Sequence, residues 1–226
     1  MSGLAFLRRH VWSLSLSVIA ALCFAQLALE IRDQELGAFD AAVSRVVVHW
    51  RGSVDWLMLS LTRLGNPAPI MALTTLLVAL LSACSRRREA LYLAVCASSC
   101  LLLNIAMKWL FQRARPPGAG LYLLLSPTSF SFPSGHAMCS TGVFASLALL
   151  AHRLGSRPGW AHAAAAYCVL LLLGVGASRI YFGVHFPSDV LGGQLASVAC
   201  ISAITGLFYP RLLPGERTLT ALPRGT

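Results

Sequence analysis

A chain of 226 residues, 57% of them hydrophobic and 12% charged, is too apolar for an ordinary soluble domain. Its net charge of +10 sits in short clusters at the ends of apolar runs, not along one face, which speaks against a nucleic-acid partner and for a membrane protein. Seven cysteines stand singly, with no CxxC and no Cys/His cluster, so the sequence indicates neither a disulfide framework nor a metal site.

A helix rises about 1.5 Å per residue, so about 20 apolar residues cross a hydrocarbon core of about 30 Å. Six segments approach that length: Val11 to Leu29, Ala68 to Ser85, Ala90 to Met107, His136 to Ala151, Trp160 to Ala177 and Asp189 to Phe208. The predicted fold class is all-α, a polytopic membrane protein with six transmembrane helices in one bundle. No internal repeat or low-complexity linker divides the chain, so residues 1–226 are read as a single domain. Arg8 and Arg9 ahead of the first run, with Cys23-Phe24-Ala25 near its end, also fit a cleaved signal; the run stays apolar to Leu29, which favours a retained helix. Between the first two spans, Glu30 to Pro67 carries apolar residues spaced by three and four, with Trp50 and Trp56 as anchors. A helix along the outer membrane surface is expected there, broken by Gly65, Asn66, Pro67 and Pro69. On the third span Cys96 and Cys100 share one face, a small-residue packing pattern.

Arg8, Arg9, Arg86 to Arg88, Arg153, Arg157 and the arginines of the tail fall on one side of this topology, accompanied only by Glu89 and Glu216. By the positive-inside bias both termini are expected in the cytoplasm.

Three polar clusters interrupt the pattern. Lys108 to Pro116 ends the third span, Pro133-Ser134-Gly135-His136 opens the fourth, and Ser178 to Asp189 joins the fifth to the sixth. With six antiparallel spans all three meet at one face, the non-cytoplasmic one. Lys108, Arg115 and Arg179 can surround a tetrahedral anion, guanidinium forks matching phosphate oxygens. Charge at membrane depth is costly and marks function. Ser134 stands at an N-cap position, so the N–H groups of Gly135 and His136 lie at the positive end of a helix, where phosphate binds. Pro187 suits a first helical turn, which sets Asp189 one turn beyond His185, within reach of its ring. Taken singly, Pro-Ser-Gly is a common helix start, a lone Arg or His at a helix end is an interfacial anchor, and HxxxD is weak. Their conjunction on one face is not explained by anchoring.

At these residues the sequence resembles the type 2 phosphatidic acid phosphatase superfamily, whose motifs KxxxxxxRP, PSGH and SRxxxxxHxxxD stand complete here at Lys108 to Pro116, Pro133 to His136 and Ser178 to Asp189. The resemblance implies a metal-independent lipid phosphatase with a catalytic core over about 90–208. In it His185 attacks phosphorus and becomes phosphohistidine, Asp189 orients it, and His136 protonates the leaving oxygen. Lys108, Arg115, Ser134, Gly135 and Arg179 then hold the phosphoryl oxygens, with no cofactor and no metal. Implied substrates are phosphatidate, phosphatidylglycerol phosphate or polyprenyl pyrophosphate in the outer leaflet of a bacterial inner membrane. A phosphotransferase passing the phosphohistidine to another hydroxyl would carry the same motifs. An anion transporter would instead place its cations near mid-membrane.

Overall fold

The computed structural model describes residues 3–119, 129–154 and 158–212. Eight helices follow one another: α1 (Gly3–Arg32), α2 (Gly37–Val48), α3 (Asp55–Leu64), α4 (Pro67–Ala83), α5 (Arg87–Phe111), α6 (Gly135–Leu154), α7 (Pro158–Tyr181) and α8 (Pro187–Leu212). Among the described residues, stretches of α1, α5, α7 and α8 are long and apolar enough to cross a membrane. The pair α3 and α4, bent by 58°, passes the same measure as one broken span. The chain is thus an all-helical membrane protein. Its outward surface is apolar, with Trp12 68%, Leu110 76% and Leu170 67% exposed, as expected where lipid is the solvent.

Two expected spans fall short of that measure for different reasons. Helix α4 has only 17 residues. Helix α6 opens on Gly135 and His136 and carries Ser140, Thr141 and Ser146, all three buried. Leu149 nearer its end is exposed, whereas over this polar part the helix faces protein and not lipid. It lies between α5 and α8 in one core cluster, with Met138 and Leu150 against Tyr92, Leu93, Cys96, Cys100, Ala196 and Ile201. In a second cluster Cys139, Val143 and Phe144 pack on Ile70 of α4, Ala97 of α5 and Leu172 of α7. Lipid tails are as apolar as leucine, so close packing and interhelical hydrogen bonds, about 0.6 kcal/mol each, hold such a bundle together. Gly142 shows the packing: a Cβ there would lie 2.9 Å from the Cβ and Sγ of Cys100.

Helix α1 runs along α8. Ser13 donates to the carbonyl of Ser202 at 2.6 Å and Ser17 to that of Ala199 at 2.7 Å, while a His10 ring nitrogen lies 3.0 Å from the Gly206 carbonyl. The single surface helix expected over residues 30–67 is instead two, α2 and α3. Gly52, at φ +86°, makes the turn between them, and its N–H donates to Asp55 Oδ1 at 2.9 Å. The break at Asn66 falls where expected, with its Oδ1 accepting from the Ala68 N–H at 3.2 Å and Pro67 opening α4. Parts of the 117–125 loop, of the 152–159 turn and of the basic tail lie outside the described residues.

Candidate active site

Helix α5 ends in Gln112, whose φ of 45° is left-handed and turns the chain back over the end of the bundle. The segment 129–134, which leads into α6, is pinned there from several sides. Arg115 donates from Nε to the Ser129 carbonyl at 2.8 Å and from Nη2 to its hydroxyl at 3.1 Å; Lys108 donates to the Phe130 carbonyl. Ser131 N–H donates to the Arg113 carbonyl at 2.8 Å, Asn104 Nδ2 to the Pro133 carbonyl at 3.1 Å, and Ser134 N–H to the Asp189 carbonyl at 3.0 Å. The three polar clusters of the sequence therefore meet at one end of the bundle.

His185 lies in the turn between α7 and α8, buried. Its Nε2 is 3.2 Å from Arg115 Nη1, which also donates to the Val184 carbonyl at 2.7 Å. Its Nδ1 is 3.3 Å from Ser131 Oγ and 3.4 Å from Asp189 Oδ2. A guanidinium can only donate, so these partners assign the ring proton to Nδ1 and leave the Nε2 lone pair facing the arginine. Burial pushes the imidazole down to about 3, with Arg115 and Arg179 acting in the same direction against the pull of Asp189. The ring is neutral at physiological pH.

Ser134 precedes α6 as expected, but its hydroxyl does not cap the helix. The first helical bond is made by its carbonyl, which accepts from Met138 N–H at 2.9 Å, and Ser134 Oγ is buried without a hydrogen-bond partner. Arg179 Nε is buried and unpartnered as well, although its Nη1 donates to Thr62 of α3. An unpaired buried polar atom costs about 1–3 kcal/mol, a penalty that an incoming oxyanion would relieve. At Gly135 a Cβ would stand 3.0 Å from Asn104 Oδ1, a tight contact, and 3.8 Å from Lys108 Cε, an ordinary one. His136 follows, near enough to Arg179, His185, Arg115 and Lys108 to interact with their charges. Among the described residues no three of His, Cys, Asp or Glu gather into a metal-ligating group.

A cleft of about 850 Å³ reaches this cluster between the end of α1, α2 and the loop after α5. Ile31, Leu36, Val48, Phe111 and Ile180 form apolar walls, with Arg115 and His185 among the lining groups. Sequence reasoning missed four residues around it: Asp40, Thr62, Arg113 and Ser131. Ser131 donates to Asp189 Oδ2, and Arg113 bonds Asp189 Oδ1 at 2.6 Å. Arg113 stood inside a basic cluster already singled out. Asp40 is an acidic residue in an apolar helix, a signal of the same kind.

A buried imidazole with Arg115 at its Nε2 and the charge of Arg179 nearby, at a membrane-helix end, can take part in phosphoryl transfer, the chemistry of a membrane phosphatase. The PAP2 superfamily pattern matches residues 89–212, and the chain belongs to that superfamily. It is 32% identical over 179 residues to phosphatidylglycerophosphatase B of Bacillus subtilis, covering 76% of this chain and 84% of that protein. A second relative, decaprenylphosphoryl-5-phosphoribose phosphatase of Mycobacterium tuberculosis, is 35% identical over 133 residues, covering 57% of this chain and 68% of the relative. The fold superposes with a TM-score of 0.79 on the crystal structure of a transmembrane PAP2-type phosphatidylglycerolphosphate phosphatase from Bacillus subtilis. That chain is 27% identical, and the match covers 89% of this chain and 99% of the other.

Proposed function

We propose that the protein hydrolyses a lipid phosphate monoester or pyrophosphate through a phosphohistidine at His185, on the outer face of the membrane. The observation that carries this is the placement of the His185 ring, its Nδ1 at 3.4 Å from Asp189 Oδ2 and its Nε2 at 3.2 Å from Arg115 Nη1. Nε2 attacks phosphorus, the N–P bond forms, and the bond from phosphorus to the lipid oxygen breaks. The departing oxygen keeps the electron pair and takes a proton from His136, which picks that proton up as the anionic phosphate binds beside it and so enters the step as the imidazolium. Water then attacks phosphorus and gives its proton to His136, and the N–P bond breaks with its electrons returning to Nε2. The products are inorganic phosphate and, from a monoester, the lipid alcohol or, from a pyrophosphate, the lipid monophosphate. Asp189 stabilises the positive imidazole of the intermediate, as the carboxylate of a serine-protease triad does for its histidine. Lys108, Arg115 and Arg179, with Ser134 Oγ and the N–H groups at Gly135 and His136, bind the phosphoryl oxygens. In this scheme three fixed cations supply the charge that magnesium gives many phosphotransferases, and no cofactor takes part.

Both relatives are named for lipid phosphates, and a cleft with apolar walls and a basic floor suits a phosphate whose tails stay in the bilayer. The bias of arginines toward the other side of the bundle supports an outward-facing site with both termini cytoplasmic. The single domain, its core over about 90–208, and six spans belong to the same reading.

The test is rapid-quench labelling of purified protein with ³²P-labelled lipid phosphates, with free phosphate measured across a substrate panel. Wild-type protein should form an acid-labile phosphoenzyme, keep its activity in EDTA and be inhibited by orthovanadate. His185→Ala should form no phosphoenzyme on any substrate. His136→Ala should lose about 10²-fold or more on a lipid ester and less on an aryl phosphate, whose leaving group needs no acid. A labelled phosphoenzyme in His185→Ala, or activity abolished by chelator and restored by magnesium, would refute the scheme.

A further inference from the structure

We propose that Arg113, at an unspecified position within the first motif, and Asp40, outside all three motifs, form with Ser188 a positioning clamp that fixes the Asp189 carboxylate against Nδ1 of His185. The inference rests on the reading of His185 as nucleophile. Asp189 offers its two oxygens to different partners. Oδ1 takes Arg113 Nη1 at 2.6 Å, which leaves Oδ2 for the Ser131 hydroxyl, the Phe186 N–H at 2.9 Å and His185 Nδ1 at 3.4 Å. The guanidinium is held in turn from three directions. Its Nη2 donates to Asp40 Oδ2 at 3.0 Å, its Nη1 also donates to Ser188 Oγ at 2.8 Å, and its plane lies 4.3 Å from the centre of the Phe186 ring. Asp40 closes the circuit. Its Oδ2 accepts from Ser188 Oγ at 2.7 Å and its Oδ1 from the Ser188 N–H at 2.8 Å, at the first turn of α8.

The side chains of Asp40 and Asp189 are 5% and 0% exposed. Two carboxylates so deeply buried require a shared cation with a fork wide enough for both, which an arginine provides and a lysine does not. The contact from His185 to Asp189 is long, so its orientation depends on where Arg113 holds the carboxylate. A group held by two charged partners and a packed ring cannot wander from the reactive geometry. Asp40 belongs to α2, so the clamp ties the helix lining the substrate cleft to the His185–Asp189 pair.

The same ³²P rapid-quench assay tests this, with Km, orthovanadate affinity and thermal stability measured alongside. Arg113→Ala should slow phosphoenzyme formation by about 10- to 100-fold, the usual effect of removing a group that orients a ligand or catalytic side chain, with Km and orthovanadate affinity little changed. Guanidinium chloride at low concentration should recover part of that rate, and Arg113→Lys should fall between the two. Asp40→Asn should slow the same step by less, and the double variant should lose less than the two single losses combined, because both act on one carboxylate. If Arg113→Ala does not fold, Arg113→Lys and Asp40→Asn carry the same comparison. Wild-type labelling rates in Arg113→Ala and Asp40→Asn would overturn the clamp. So would losses that track orthovanadate affinity and melting temperature with no recovery by guanidinium, since that pattern marks a merely structural role. Absence of label from the wild-type protein would overturn the reading of His185 itself, and the clamp with it.

Discussion

His185 sits among groups that hydrogen-bond it only in one form, a neutral ring with the proton on Nδ1. An unfolded imidazole gains its proton near pH 6.5, whereas this one does so only near 3. The contribution to stability is therefore complete above about 6.5 and is lost as pH falls from there toward 3. The functional counterpart is a nucleophile that stays available in mild acid. In protein carrying ¹⁵N-histidine, the resonance that vanishes in His185→Ala should remain that of a neutral Nδ1–H ring at pH 5; an imidazolium signal there would contradict the geometry. Single residues of the site were legible in the sequence where a short motif carries the chemistry, as at Ser134-Gly135-His136. Asp40 and Arg113 were not, because 73 residues separate the two ends of their salt bridge and no local pattern joins them. Ser134 stands just ahead of α6 as expected, and its hydroxyl is left without a partner, since a motif fixes a position without fixing which way a hydroxyl turns.

Among the elements, α6 and α8 meet in a close backbone contact beside Ser134. A Cβ on Gly193 of α8 would stand 2.8 Å from the Ser134 carbonyl and 3.3 Å from the Met138 nitrogen. Both atoms are backbone, so neither can swing aside. Gly193→Ala should cost about 1–3 kcal/mol by overpacking and, by pushing Ser134 outward, lower the rate of phosphate release. Gly159→Ala, where a Cβ meets nothing within 4 Å, serves as the control. Melting curves and turnover in detergent decide it, and equal behaviour of the two variants would mean the contact relaxes without consequence. The long helices were readable from apolar length because lipid-facing residues must be apolar. Where α6 is sheathed by its neighbours that rule weakens, and serines enter a helix still in the middle of the bundle. The single surface helix became two because Gly52 turns the chain at a positive φ, a break that the apolar spacing on either side conceals.

For the molecule as a whole, the site clusters at one end of the bundle while Arg86 to Arg88 begin α5 at the other. A reporter inserted after Arg88 should behave as cytoplasmic and one at Ala119 as external. The opposite pair of signals would invert the proposed orientation while leaving the site geometry untouched. The paired helices α1 and α8 add a constraint on biogenesis. Ser13 and Ser17 find their acceptors at Ser202 and Ala199, 189 and 182 residues further along the chain. Until those are made α1 must wait in the bilayer, its hydroxyls turned back on its own carbonyls. Asp40 waits in the same way for Ser188, 148 residues further on. Every helix before α8 can be inserted and the chain still lack Ser188 and Asp189, so the pairing of His185 with its carboxylate is completed only once α8 has been made.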